Sequence, residues 1–344
     1  MAGTTEPPAA PLARLRPMWW LRGIAQTQTT YVAVAFAALI VVIWILAPVF
    51  VTPRNLLNIS KNFSFIALMA LGETLVIISG GIDLSVGSVC ALSAIVTIML
   101  MRFFSATAAA QVPSATIALA ALLALAIAAL IGLVNGLLIA RVRLSPFVTT
   151  LGMLSVARGM TYVLTQGRAQ YPVGPDVALF TRFANGAVLG LPTQLVYLLV
   201  FALLMGLALH HLVWGRHLYA VGGNAQAAAL TGVRVPRVVL SVYLLSSLAA
   251  GFSGVLLAGW LGAAPANLAT GYELRVIAAA VIGGANLAGG IGGAEGAVIG
   301  AALIEVIRNG FVLIGANSYW EEVFVGVIII IAVLVDQLRT RRVF

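Results

Sequence analysis

Long apolar segments recur along the whole chain, separated by short polar connections. A segment of about 20 apolar residues matches the hydrocarbon thickness of a bilayer, so each predicts a membrane-spanning helix. The pattern predicts ten of them, near residues 31–50, 59–79, 86–101, 113–140, 147–165, 194–213, 236–262, 270–287, 293–314 and 320–338. The eighth is the weakest, because Glu273 and Arg275 occur early in it and glycines end it. The fold class is therefore an all-α, polytopic membrane protein.

Composition strengthens this prediction. Hydrophobic residues make up 62% of the 344 residues and charged residues only 8%, whereas soluble domains carry about 25% charged residues. The net charge of +9 comes mostly from arginines in short connections, which indicates topology signals and not a nucleic-acid-binding patch. With the N-terminus inside, eleven basic residues lie inside and five outside, so we expect both termini in the cytoplasm. We interpret residues 1–30 as a cytoplasmic segment and 31–340 as one transmembrane domain.

Two glycine-rich sequences interrupt apolar runs. The first reads G-G-I-D-L-S-V-G at Gly80–Gly87, and the second reads G-G-A-N-L-A-G-G at Gly283–Gly290. They align at a constant offset of 203 positions, which places Asp83 opposite Asn286. Paired glycine interruptions in two halves of a membrane protein indicate a transport path. Chance similarity between glycine-rich turns is the alternative, since the chain has 35 glycines.

Acidic residues inside apolar segments are costly and are candidates for function. Glu73 lies about two turns before the first break, where it could line the path or pair with an arginine such as Arg158. We expect Asp83 to cap the helix that follows, and Asn286 to do the same without a charge. The candidate residues of the translocation path are Glu73, Asp83, Asn286 and Glu273.

The connection at about residues 214–236 encodes a short helix. Asn224 is a suitable N-cap, residues 225–230 are good helix formers, Gly232 can end the helix, and Pro236 can open the next span. An ordinary solvated helix is one interpretation. We favour a helix that contacts a partner, because its alanines offer little apolar surface for docking on its own protein.

No catalytic or metal-binding constellation is expected. His210, His211 and His217 have no Cys, Asp or Glu nearby with which to bind a metal. The sole lysine, Lys61, is not part of a G-x-x-x-x-G-K-[ST] motif, so the chain cannot hydrolyse ATP by the P-loop route. We therefore expect a protein that is not an enzyme and binds no cofactor itself.

Four stretches together resemble the permease subunits of bacterial ATP-binding-cassette importers for monosaccharides, of the ribose, xylose and autoinducer-2 type. They are A-L-G-E-T-L-V-I-I-S-G-G-I-D-L-S-V-G-S at 70–88, the connection at 215–236, G-Y-E-L-R-V-I-A-A-A-V-I-G-G-A-N-L-A-G-G at 271–290, and Asn309-Gly310 leading to Asp336. The similarity covers about residues 31–340. Arg275, Glu295 and Arg308 depart from the family pattern, so the resemblance does not identify the sugar.

The resemblance implies a ten-span fold similar to that of vitamin B12 importers, in the bacterial inner membrane. Two permease chains, a homodimer, would enclose a path for a ribose-like pentose or related sugar. Separate ATPase subunits would use the ATP, and a periplasmic sugar-binding protein would deliver the sugar. The loop after the sixth span would be the coupling helix that fits the ATPase. Its candidate residues are Gly222, Gly223, Asn224, Ala227, Ala228 and Gly232.

A stand-alone secondary carrier driven by a proton or sodium gradient is the alternative function. Such a carrier would also lack a P-loop, and Glu73 and Asp83 would then be its proton or cation sites. A membrane-embedded enzyme is more remote, because the sequence contains no catalytic constellation for it.

Overall fold

A computed structural model describes residues 28–106, 113–317, 320, 322–327, 330 and 334 of the chain. These residues form the helices α1 Gln28–Leu46, α2 Pro53–Ile78, α3 Val86–Ser105, α4 Pro113–Ala140, α5 Pro146–Thr165, α6 Val177–Asn185, α7 Thr193–His211, α8 Val213–Gly223, α9 Ala225–Leu230, α10 Val235–Leu261, α11 Tyr272–Ile282 and α12 Ala294–Leu313. A 3-10 helix lies at Pro48–Val51, and a small hairpin pairs β1 Ala187–Val188 with β2 Leu191–Pro192.

Within the described residues, seven helices are long and apolar enough to cross a membrane, namely α2, α3, α4, α5, α7, α10 and α12. This confirms a polytopic, mostly helical membrane protein. In the first predicted span, the shorter apolar stretch Phe36–Leu46 belongs to α1. The tenth predicted span lies largely outside the described residues, as does most of the N-terminal segment.

The eighth predicted span differs most from the expectation. Residues 270–287 contain only α11, an 11-residue helix that is roughly 16 Å long at 1.5 Å per residue. A hydrocarbon core of about 30 Å is nearly twice that length, so α11 cannot cross it alone. The helix ends at Ile282 because glycines follow it, one of which, Gly284, has a φ of +101°.

The helix bundle has a buried centre and an apolar exterior. Helices α2 and α3 are buried along most of their length, and α10 packs against both of them and against α4. Helices α4, α5 and α7 expose most of their apolar surface. Small residues permit the central contacts: a methyl group at Gly254 of α10 would overlap the carbonyl oxygen of Cys90 in α3. The central helices therefore approach each other backbone to backbone.

Connections on the two sides of the bundle differ. On one side, the loop between α5 and α7 contains α6 and the hairpin, with Leu189 fully exposed at the hairpin tip. On the other side lie the end of α2, the end of α4 and the connection between α7 and α10. Gly222 of that connection contacts Ile78, and Gly136 of α4 contacts Leu240 near the start of α10. We call this second side the junction side.

Candidate functional site

The two glycine breaks predicted from the sequence meet in space. The amide of Gly290 donates a hydrogen bond to the carbonyl oxygen of Ile78 over 2.9 Å. A methyl group at Gly289 would lie 3.1 Å from the Cα atom of Gly80. The end of α2 and the chain after α11 are therefore in direct backbone contact, although 203 positions separate the two breaks in the sequence.

Both breaks contain the same local turn. Asp83 Oδ1 accepts the backbone N–H of Ser85 at 2.9 Å, and Asn286 Oδ1 accepts that of Ala288 at 2.7 Å. The expectation that each side chain accepts a backbone N–H is confirmed. The expectation that they cap the next helix is wrong in detail, because Ser85 is the N-cap residue of α3 and α12 begins only at Ala294.

After the first break, the chain folds back along α2 and into the bundle. The N–H of Asp83 donates to Glu73 Oε1 at 3.0 Å, which places Asp83 beside a residue more than one turn before the end of α2. Both side chains are fully buried. No hydrogen-bond partner for Glu73 Oε2 exists among the described residues. Arg158 Nη1 donates instead to the carbonyl oxygen of Leu268 at 2.7 Å, so the suggested Glu73–Arg158 pair is not formed.

The Asp83 carboxylate links the first break to α10 directly and to α4 through Ser85. Its Oδ1 also accepts the Ser85 hydroxyl, and its Oδ2 accepts the hydroxyl of Ser246 in α10 at 3.1 Å. Asn135 in α4 donates to the Ser85 hydroxyl at 3.1 Å. The sequence pattern did not single out Asn135, Ser85 or Ser246. The signal for Asn135 was the single amide side chain in the fourth predicted span.

The other two path candidates lie elsewhere. Asn286 is half-buried within the second break. Glu273 lies in the first turn of α11, and its carboxylate is so close to Gly87 that a methyl group there would overlap it. The structure therefore brings Glu73 and Asp83 together and leaves Asn286 and Glu273 at opposite ends of α11.

The predicted loop helix is present, and a second helix precedes it. Asn224 Oδ1 accepts the N–H of Ala227 at 2.9 Å and caps α9, as expected. Gly232 follows the helix with a φ of +89°, and Pro236 lies in the first turn of α10. The sequence pattern did not predict α8, which continues the chain from α7 to Asn224.

Helix α8 rests on both breaks at once. A methyl group at Gly222 would overlap the carbonyl oxygen of Ile78 and lie 2.5 Å from the amide nitrogen of Gly290. The Tyr219 hydroxyl donates to the carbonyl oxygen of Gly292 at 2.7 Å. Burial raises the pKa of the Tyr219 phenol, and the nearby Glu295 carboxylate adds to the rise, so the phenol stays a neutral donor. We call the contact of Gly222 with the two breaks the junction.

Helix α9 has an inner and an outer face. Ala228 is only 5% exposed and packs in a buried cluster with Val221 and Val238. Leu230 is 90% exposed, and Ala227 also faces outward. The expectation that α9 docks poorly on its own protein therefore needs correction, because one small residue, Ala228, is enough to seat it. Leu230 is therefore the large apolar side chain that α9 leaves exposed.

Two of the residues that depart from the family pattern form ion pairs. Arg275 pairs with Glu322 at 2.7 Å. Arg308 makes two hydrogen bonds to Glu305, three positions before it in α12, at 2.8 and 2.6 Å. These arginines are thus compensated by carboxylates of the same chain.

Comparison with known proteins gives consistent findings. A family model described as the permease component of branched-chain amino acid transport systems matches residues 55–333. The ribose import permease protein of Escherichia coli (strain K12) is 40% identical over 308 residues, 88% of this chain and 92% of the relative. A probable ABC transporter permease of Sinorhizobium fredii is 38% identical over 323 residues, 93% of each.

A third relative has a different sugar in its name. The galactose/methyl galactoside import permease protein of Escherichia coli (strain K12) is 36% identical over 316 residues, 90% of this chain and 94% of the relative. No solved structure matches the chain. The similarity to vitamin B12 importers and the count of ten spans therefore stay predictions.

Proposed function

This chain belongs to the family of transport permease components whose model it matches over residues 55–333, and on that premise we propose that it is the membrane subunit of an ATP-driven sugar importer. One observation carries the proposal, namely 40% identity to a ribose import permease across 88% of the chain. The family description names amino acids, but two of the relatives reported above are sugar permeases. The proposed substrate is therefore a monosaccharide, a ribose-like pentose or a related sugar.

The proposed importer contains other chains. A separate ABC ATPase subunit binds and hydrolyses the ATP, so this chain needs no cofactor of its own. A periplasmic sugar-binding protein supplies the sugar, and a second copy of the permease completes the path. The junction side and both termini face the cytoplasm of a bacterial inner membrane, as the distribution of arginines favours.

The proposed coupling route follows the contacts of α8 and α9. The ATPase engages the outer face of α9, and α8 passes the movement to the junction. Because Gly222 lies against both Ile78 and Gly290, a displacement of the loop acts on both breaks together. The proposed coupling surface also includes Gly223, Asn224, Ala227 and Gly232. The buried side chain of Ala228 holds α9 against the rest of the permease.

The proposed path runs beside the two breaks. Its candidate polar residues are Glu73, Asp83, Asn286 and Glu273. Glu73 and Asp83 are closed off from solvent in this conformation, so they reach the path only when the first break moves. We expect the alternation between inward and outward openings to include that movement.

Leu230→Asp is expected to weaken the association of the permease with its ATPase by about tenfold or more. Burying a leucine side chain contributes about 1.5–3 kcal/mol, and a carboxylate in the same contact would add a desolvation cost. The measurement is the amount of ATPase recovered with the tagged permease from membranes. The control is Leu189→Asp, at the fully exposed hairpin tip on the other side of the bundle. Equal ATPase recovery for both variants would contradict the role of α9.

The function itself is tested in two steps. Purification of the chain from its native membranes in mild detergent, followed by mass spectrometry, should recover a P-loop ATPase in a comparable amount. Vesicles containing that complex and the binding protein should take up labelled ribose or galactose only with ATP on the ATPase side. Uptake by the chain alone on a proton or sodium gradient would replace the importer with the secondary carrier.

A further inference from the structure

A basic cavity lies on the junction side, beside the start of α10. Its volume is about 400 Å³. The polar and aromatic residues that line it are Trp214, His217, Arg234, Arg237 and Ser241, and none of its lining residues is acidic. The contacts of Gly222 with the two breaks involve the other face of α8, and Gly232 is the one coupling candidate that also lines the cavity.

The two arginines of the cavity are available to a ligand. Arg234 is the N-cap residue of α10, and Arg237 follows three positions later, so both side chains project from the same end of the helix. Both residues are exposed. In the described part of the chain, neither guanidinium forms a hydrogen bond or an ion pair. Two adjacent, uncompensated guanidinium groups attract an anion.

The cavity lies between the ends of two helices that are long and apolar enough to cross a membrane, since α7 ends at His211 and α10 begins at Val235. The ends of such helices are expected near the membrane interface, where tryptophan is enriched. Trp214 Nε1 donates to the Ser241 hydroxyl at 2.8 Å, which holds the indole beside the start of α10. The apolar side chains of Leu212 and Val213 are exposed beside it.

We propose that this cavity binds the phosphate group of an anionic phospholipid. Guanidinium groups bind phosphate oxygens in a bidentate manner, and basic pockets between spans are suited to lipid headgroups. The exposed apolar residues beside the cavity favour a lipid over free phosphate, because they offer a surface to acyl chains. The bound headgroup holds Arg234 and Gly232, and so fixes the corner between α9 and α10. The proposal does not depend on which solute the protein transports.

Quenching of tryptophan by brominated lipid tests the proposal. The full chain, with its ATPase, is reconstituted in phosphatidylcholine vesicles that contain either brominated phosphatidylglycerol or brominated phosphatidylcholine. Subtracting the signal of Trp214→Phe isolates the contribution of Trp214. We expect stronger quenching of Trp214 by phosphatidylglycerol. In the double variant Arg234→Gln/Arg237→Gln, the affinity of the cavity for phosphatidylglycerol relative to phosphatidylcholine should fall by about thirtyfold at low salt. Each basic residue near the membrane surface contributes about 1 kcal/mol to that affinity.

The matched control is Arg141→Gln/Arg143→Gln. It removes the same charge on the junction side, from two exposed arginines that do not line the cavity, and it should keep the preference. An equal loss in this control would overturn the proposal in favour of general surface charge. Removal of the preference by added inorganic phosphate would identify a soluble anion instead. Loss of ATPase from the Arg234→Gln/Arg237→Gln protein with unchanged quenching would assign the cavity to an acidic protein surface.

Discussion

Gly222→Ala should lower ATP-driven uptake by about a hundredfold while the protein still inserts into the membrane. A methyl group at this position would overlap the carbonyl oxygen of Ile78 and lie 2.5 Å from the amide nitrogen of Gly290. Both neighbours are backbone atoms, so α8 itself must move away from the breaks. Overpacking of this kind costs about 1–3 kcal/mol, and here the cost falls on the contact that links the loop to both breaks. The measurement is sugar uptake per ATP hydrolysed in reconstituted vesicles.

A glycine with free space around it provides the control. Gly152 of α5 is exposed, and a methyl group there would meet nothing within 4 Å. Gly152→Ala should therefore transport at nearly the normal rate, because it adds the same methyl group to a helix without displacing a neighbour. If both variants transported equally well, the junction would not transmit movement.

Asp83→Ala should destabilise the protein by about 3 kcal/mol or more. The substitution leaves the Ser85 N–H and the hydroxyls of Ser85 and Ser246 without their acceptor. Each buried donor left unsatisfied costs about 1–3 kcal/mol. Thermal unfolding of the purified protein in detergent, followed by fluorescence, should show a midpoint several degrees lower. Uptake should fall as well, since α10 loses its hydrogen bond to the first break and the Ser85 hydroxyl that accepts from Asn135 of α4 loses its acceptor.

Two further variants separate structure from charge. Asp83→Asn keeps one acceptor oxygen and should retain most of the stability, so its uptake reports whether the negative charge itself is needed. Asn286→Ala changes the repeat counterpart, which is half-buried and accepts the N–H of Ala288. Solvent can replace part of that interaction, so its cost should be about 1 kcal/mol. An equal loss of stability for Asp83→Ala and Asn286→Ala would refute the special role of the buried network.

The aligned breaks show how an internal repeat can diverge in structure. Both copies keep the side-chain turn, at Asp83 and at Asn286. Only the first copy folds into the bundle, where the Glu73 carboxylate accepts a hydrogen bond from the N–H of Asp83. In the second copy, Gly289, Gly290 and Gly292 all have positive φ values, and the chain continues to Ala294 before a helix begins. The repeat is therefore one of local sequence more than of tertiary placement.

Within the described residues, seven of the predicted spans and the loop helix follow from the sequence, because both depend on local properties. Apolar length decides whether a segment can cross a bilayer, and a good N-cap such as Asn224 decides where α9 begins. The similarity of nearly the whole chain to sugar permeases was likewise evident in motifs such as G-G-I-D-L-S-V-G-S.

Which residues lie in contact follows from the tertiary arrangement of the helices and not from the local sequence. Residues far apart in sequence meet in the contacts of Gly222 with Ile78 and Gly290, and of Asp83 with Ser246. Apolar and small residues pack on any face of a helix in a membrane protein, so their pattern does not reveal partners. For the same reason, the sequence did not predict that Ala228 is buried and that Leu230 is exposed. Burial of a side chain depends on which helices pack beside it, and the sequence of one helix does not say which helices those are.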